Sequence, residues 1–171
     1  IKKSKKIANK NLVSIFVNPK QFNNKNDFSS YPRNLKKDLN ILQKLNVNYV
    51  YLPTYKDIYY FKPIKKVYLD KFANKLCGNT RKDHFEGVLN VVNRLLEIIK
   101  PKYMLLGIKD FQQLHLIKSH VKKRKINTKI ISCKTIREAN KVACSTRNNN
   151  ISKSNYIISS KVFKFLAKKK T

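Results

Sequence analysis

Short apolar runs alternate along this chain with longer stripes of apolar residues at helical spacing, and that alternation restricts the fold more than any other feature. The run LVSIFV at 12–17 is β-branched and closes on Asn18-Pro19, the pattern of a strand followed by a turn. Leu35, Leu39, Leu42 and Leu45 then recur at three- and four-residue spacing after Asn34, which predicts a helix ending near Asn46. NYVYLP at 48–53 reads as a strand stopped by proline, and KKVYLD at 65–70 as another. Between residues 83 and 100, Val88, Val91, Val92, Leu95, Leu96 and Ile99 build a helical stripe that Pro101 ends. YMLLG at 103–107 reads as a buried strand, 109–125 as a helix and TKIISC at 128–133 as a strand. Strands and helices of these lengths in alternation predict an α/β fold, a mostly parallel sheet with helices on both faces.

The totals fit one such unit. A chain of 171 residues that is 42% hydrophobic can bury one core of ordinary size. No stretch reaches the ~18 uninterrupted apolar residues of a membrane helix, and no segment has the order of a secretion signal, so no membrane partner is expected. Cys77, Cys133 and Cys144 are odd in number and lack any C-x-x-C, which argues against a disulfide framework and a zinc site and fits a cytoplasmic setting.

The net charge of +30 invites a nucleic-acid partner. Its distribution weakens that reading. The cations are mostly lysine, spread over every segment, and arginine, the planar fork preferred for phosphate and base contacts, occurs six times. Asn, Ile, Tyr and Phe are abundant while Gly (3), Pro (5) and Trp (0) are scarce, the mark of an A/T-rich coding sequence. The lysine runs at 122–125 and 168–170 then reflect composition. Binding of nucleic acid stays as an alternative, with clustered basic residues on one face as its signature.

In a parallel sheet, ligands bind outside the carboxyl ends of the strands. Gly107 stands where strand turns to helix, and the first N–H groups of that helix lack intrahelical partners and carry the positive end of its dipole. An anion fits there, with Lys109 adding charge and Asp110 either accepting from a ligand hydroxyl or capping the helix. Gln112 and Gln113 are adjacent, so only one can look into such a site. Asn18 and Gln21 follow a second strand, and Ser145, Thr146 and Arg147 lie in the loop after a third, so three polar clusters converge on one rim. Glycines only at 78, 87 and 107 leave no room for a dinucleotide fingerprint or a P-loop.

The segments VSIFVNPKQF, YPRNLKKD, HFEGV, GIKDFQQLHLI and REANKVACSTRN, in this order and spacing, resemble the pantothenate synthetase (pantoate–beta-alanine ligase) family, from residue 1 to about Asn150. The resemblance implies a Rossmann-like nucleotidyltransferase fold of the HIGH superfamily. It also implies ATP and Mg2+, with pantoate activated as pantoyl adenylate before beta-alanine attacks. Carried over by motif, Gln21 would contact pantoate and beta-alanine, and Gln113 pantoate. Gly107, Ile108, Lys109 and Asp110 would hold ATP, with Lys109 on its phosphates. Ile136 would meet the nucleotide through its backbone, and Cys144, Ser145, Thr146 and Arg147 would close on the triphosphate. Lys109 and Arg147 are the candidate catalytic cations, because adenylation builds negative charge that fixed cations stabilise. Asp38 is the one residue offered to a metal.

The chain departs from the family's usual pattern at Ile108 (glutamate), at Asn140-Lys141 (Asp-Gly), at Thr146 (a second serine) and at Lys37 (an acidic residue). His84 reads as structural, since it opens a helix whose other face is core, and His115 and His120 read as helix-surface residues. Residues 1–150 are expected to form an ATP- and pantoate-binding domain and 151–171 the first helix of a smaller lid domain. The family also places a strand and a His-x-Gly-His motif before residue 12, and no such motif occurs here. The expected consequences are a gap between the strands at 12–17 and 103–107, and a chain that does not complete the reaction alone. A homodimer fits the family, and a decayed, catalytically incompetent relative remains a third alternative.

Overall fold

The computed structural model of the chain describes residues 1–22 and 25–169, with Lys25 and Asp27 described by backbone alone. Its first half runs α1 (Lys2–Lys5), β1 (Leu12–Ser14), α2 (Lys25–Ser29), α3 (Leu35–Lys44), β2 (Tyr49–Tyr51), α4 (Tyr55–Tyr59) and α5 (Cys77–Thr80). The second half runs α6 (His84–Ile99), β3 (Tyr103–Gly107), α7 (Phe111–Lys123), β4 (Lys129–Cys133) and α8 (Lys153–Lys168). Lys170, the end of the last lysine run, lies outside the described residues.

The strands pair as two parallel couples, β1 with β2 and β3 with β4. Leu12 stands opposite Tyr49 and Tyr103 opposite Lys129. Parallel pairing demands a long crossover, and helices supply it: α2 and α3 in the first couple, α7 in the second. β1 and β3 share no ladder. Where the gap was expected there is an apolar cleft of about 580 Å3, walled by Leu12 and Val13 of β1, Leu105 and Leu106 of β3, and Leu95 and Ile99 of α6.

α6 organises the core because its apolar residues cover most of its circumference. Val88, Leu89, Val92 and Leu96 pack with Ile117 and Val121 of α7 against Met104 and Leu106 of β3 and Ile130 of β4. On a second face, Val91 and Leu95 pack with Ile58 against Phe16 and Tyr51. Each fully buried side chain of this size contributes roughly 1.5–3 kcal/mol. The helix ends as its sequence directs: Lys100 turns left-handed at φ 45°, and Pro101 follows.

Two sequence expectations need correction. Residues 65–70 form no strand, because their backbone groups are taken by side chains of α6 and by His120 and Arg124 at the end of α7. Lys65 N–H donates to Glu97 Oε1 (3.2 Å), and Lys65 carbonyl accepts from Asn93 Nδ2 (2.9 Å). Val67 carbonyl accepts from Arg124, and Tyr68 N–H donates to His120 Nδ1 (3.0 Å). The other correction is His120, which is fully buried rather than on the surface. It sits on the same face of α7 as Ile117 and Val121, and its Nε2 donates to Asn93 Oδ1 at 3.0 Å. Burial, with Arg124 adding to it, pulls its pKa down to about 4 against the pull of Glu97. His115 is exposed as expected, its ring edge-on to Phe72.

Candidate active site

Every strand contributes the segment after its carboxyl end to one cavity of about 970 Å3. Residues 15–18 come from β1, Leu52 and Pro53 from β2, Asp110 and Gln113 from β3, and Thr146 and Arg147 from the loop that follows β4. The strand expected over 12–17 is shorter for this reason. The N–H of Ile15 still bonds Tyr51, but beyond it the chain leaves the ladder to wall the cavity.

Asn18 fixes that wall. It is buried, and its Oδ1 accepts from the N–H of Lys20 (3.1 Å) and from the hydroxyl of Tyr59 (2.8 Å). Its Nδ2 donates to the carbonyl of Gly87 in α6 (3.3 Å). The 3-10 turn Pro19–Gln21 therefore lies hard against α6, where a Cβ on Gly87 would stand 3.1 Å from the Lys20 carbonyl oxygen. The Gln21 carbonyl accepts from Arg81 Nη2 (3.1 Å) and from His84 Nδ1 (2.9 Å). Its side chain is left to the cavity.

On the opposite side, β3 ends at Gly107, whose φ of −73° any residue could adopt and whose missing Cβ would meet nothing closer than 4.0 Å. Glycine there leaves open room at the strand end. Lys109 and Asp110 follow in a 3-10 turn, Nζ to Oδ1 3.8 Å, with side chains 42% and 64% exposed. Asp110 stands at the N-cap of α7 without a side-chain capping bond, so capping does not account for it. The two glutamines divide as expected. Gln112 turns inward, donating to the carbonyls of Phe72 (2.8 Å) and Lys75 (2.6 Å), and Gln113 lines the cavity.

In the third cluster, the Ser145 hydroxyl caps the 3-10 turn Thr146–Asn150 by accepting from Arg147 N–H (3.3 Å). The Arg147 guanidinium stands over the Tyr31 ring, 5.0 Å from its centroid. Ile136 is 72% exposed and its carbonyl accepts from Cys144 N–H, so these two residues form a small hairpin off the cavity wall. In that hairpin Lys141 takes φ 74°, the left-handed conformation that explains why glycine is usual there.

The structure thus brings Gln21, Asp38, Asp110, Gln113, Thr146 and Arg147 to one cavity. Gly107, Ile108, Lys109, Ile136, Cys144 and Ser145 are not on its wall. Sequence reasoning passed over Arg33 and Arg81, which are on it and which periodicity could not single out from ordinary loop residues. Three of the six arginines therefore line this cavity, against two carboxylates among the described residues, and the site favours anions. Lysines behave differently. Lys5 bonds the carbonyls of Leu45 and Asn46, and Lys65 those of Arg124 and Lys125, so part of the lysine charge closes helix ends rather than facing a partner. No helix among the described residues is long and apolar enough to cross a membrane. No group of three or more His, Cys, Asp or Glu side chains placed to hold a metal occurs among them.

The sequence profile of the pantoate-beta-alanine ligase family matches residues 1–171. Pantothenate synthetases of Francisella philomiragia and of Francisella tularensis subsp. novicida are each 44% identical over 167 residues, 97% of this chain and 64% of theirs. Among solved structures, the pantoate-beta-alanine ligase of Francisella tularensis, complexed with beta-gamma ATP and beta-alanine, superposes with a TM-score of 0.88 at 43% identity. That alignment covers 97% of this chain and 64% of the other. The pantothenate synthetase of Thermus thermophilus gives 0.86 at 27% identity over 95% and 59%. The chain thus spans a little under two thirds of the length of these relatives.

Proposed function

Because the chain belongs to the pantoate-beta-alanine ligase family, we propose that its cavity binds ATP, pantoate and beta-alanine and condenses the two acids to pantothenate. The carboxylate of pantoate attacks the α-phosphorus of ATP, pyrophosphate leaves, and the amine of beta-alanine then displaces AMP from the pantoyl adenylate. The observation that carries this reading is the convergence of Gln21, Gln113 and Arg147, from three distant motifs, on one arginine-lined cavity at the strand ends. The Francisella tularensis relative is complexed with beta-gamma ATP and beta-alanine, which supports ATP and beta-alanine as ligands here.

The residues suit the chemistry. Gln21 and Gln113 can donate to a carboxylate and accept from hydroxyls without the cost of a buried charge. Gly107, Ile108, Lys109 and Asp110 form the nucleotide edge, where the open backbone at Gly107 admits a phosphate and Lys109 can swing from Asp110 onto it. Arg147, with Ser145 and Thr146 shaping its turn and Cys144 and Ile136 beside it, closes the triphosphate side. As catalytic cations, Lys109 and Arg147 stabilise charge building on phosphorus. Mg2+ would travel with the nucleotide, bound mainly by its phosphates, and among the described residues Asp38 and Asp110 on the wall could add a carboxylate. The reading also includes a homodimer and a cytoplasmic setting, the first open to light scattering.

Titration calorimetry tests the assignment. The chain should bind ATP and pantoate separately, and Gln113→Ala should remove pantoate binding while leaving ATP binding intact. Binding of neither would end the ligase reading. The nucleic-acid alternative predicts instead salt-sensitive DNA or RNA binding indifferent to both ligands.

A further inference from the structure

Forming an amide needs a neutral amine, whereas beta-alanine carries an ammonium at neutral pH. Among the assigned residues Gln21 and Gln113 are neutral amides, Lys109 and Arg147 are cations, and carboxylates such as Asp38 and Asp110 are weaker bases than imidazole. A proton acceptor is still needed.

His84 opens α6 with its ring on the cavity wall. Nδ1 lies 2.9 Å from the Gln21 carbonyl oxygen, which can only accept, so Nδ1 carries the proton. In the neutral ring the lone pair is then on Nε2. Nε2 makes no hydrogen bond among the described residues and is not sealed from solvent, and His84 is one of the residues that line the cavity. The ring is also held in place. Arg81 donates to the same carbonyl at 3.1 Å, and Phe85 stands edge-on to the imidazole with centroids 5.0 Å apart.

We infer that His84, through Nε2, takes the proton from the amine that attacks the acyl adenylate, an assignment that rests on the ligase reading of this cavity. Burial, with Arg81 adding to it, holds the ring's pKa below the usual histidine value, which keeps it neutral and ready at pH 7. The Gln21 carbonyl and Asp110 pull the other way and steady the imidazolium once it forms.

The step balances without any further reactant. The beta-alanine ammonium gives one proton to Nε2, and the freed lone pair forms a C–N bond to the pantoyl carbonyl carbon. The tetrahedral intermediate collapses by breaking the C–O bond to phosphate, whose electron pair leaves with AMP. The nitrogen's second proton passes to water in the open cavity, and His84 later releases its own to solvent.

Two measurements on the 171-residue chain decide the matter. Nitrogen NMR of labelled histidine at pH 7 must find His84 neutral with its proton on Nδ1; an Nε2-protonated or charged ring overturns the assignment. The second supplies chemically prepared pantoyl adenylate, which bypasses adenylation, with either beta-alanine or hydroxylamine, an amine already neutral at pH 7. His84→Asn keeps a side-chain N–H for the Gln21 carbonyl and removes Nε2. It should lower kcat with beta-alanine about 100-fold while the KM for the adenylate and the hydroxylamine reaction stay within about threefold. An equal loss with both amines would assign His84 a structural role, and no loss would remove it from the chemistry. A wild-type chain that consumes the adenylate with neither amine overturns the base assignment, whereas the ligase reading stands or falls on the binding of ATP and pantoate.

Discussion

β1 separates two hollows of opposite chemistry, and Ser14 touches both. Past the strand's carboxyl end lies the cavity of arginines, glutamines and carboxylates; along its free edge lies the aliphatic cleft facing β3. Tyr49 N–H to Asn11 and Ile15 N–H to Tyr51 commit alternate residues to β2, so the backbone groups of Leu12 and Ser14 point into the cleft. Polar side chains collect where the ladder has ended and cannot be disturbed by them. Aliphatic ones line the free edge, where β1 makes no ladder with β3. One hollow is built for ligands and the other is continuous with the core.

Substitutions should therefore separate the two. Leu96 faces the cleft and is 3% exposed in the main core cluster, so Leu96→Ala should cost about 2–5 kcal/mol of folding stability. ATP affinity of the protein that remains folded should not change. A melting curve with calorimetry at low temperature checks both, and a large loss of ATP affinity would show that the two hollows are coupled.

The mirror experiment is Lys109→Ala. It should weaken ATP binding or slow adenylation by roughly 2–4 kcal/mol, the scale of one preorganised charge contact. Its melting temperature should hold, since the side chain is 42% exposed and its ion pair is with the exposed Asp110 next to it. Unchanged nucleotide binding would remove Lys109 from the site, a live question because its side chain lies off the cavity wall.

How much of this was legible in the sequence follows the same division. The cavity was readable because its residues follow strand ends, and strand ends are marked by Asn18-Pro19, Pro53 and Gly107. The stripe of α6 and the absent ladder between β1 and β3 were anticipated as well. What escaped notice depends on contacts made across the fold. KKVYLD has a strand's composition, yet Glu97, Asn93, Arg124 and His120 capture its backbone. His120 could be placed inside only by counting back to Ile117 and by finding Asn93 on another helix. Arg33 and Arg81 carry no periodic signal at all.

A pH titration asks whether both hollows depend on that buried network. Because the His120 pKa is about 4 in the folded chain and near 6.5 when unfolded, the unfolded state takes up the proton first as pH falls. Stability should be full above about pH 6.5 and decline by about 2–3 kcal/mol on the way to pH 4, on top of a smaller slope of the same sign from His84. Urea unfolding at pH 7 and pH 4.5 measures it, and His120→Gln, less stable at pH 7, should show a flatter dependence. An unaltered slope in that variant would place the acid sensitivity elsewhere.

The smallest effect is expected at exposed lysines that line neither hollow. Lys122, Lys123 and Lys125 are exposed around the end of α7, and none of them lines the cavity or the cleft. Charges separated from a site by more than a Debye length of ~8 Å are largely screened at physiological salt. Replacing the three with glutamine, and leaving Arg124 on the Val67 carbonyl, should change ATP affinity by no more than about 0.5 kcal/mol. The arginine-lined wall would be untouched, so the anion preference of the cavity should survive a drop of three in net charge. Gel-shift and calorimetry on the same samples separate the outcomes. Tight DNA binding at physiological salt that vanished with these three lysines would mean that the scattered charge has a function of its own, and that the cavity's arginines are not the chain's principal anion site.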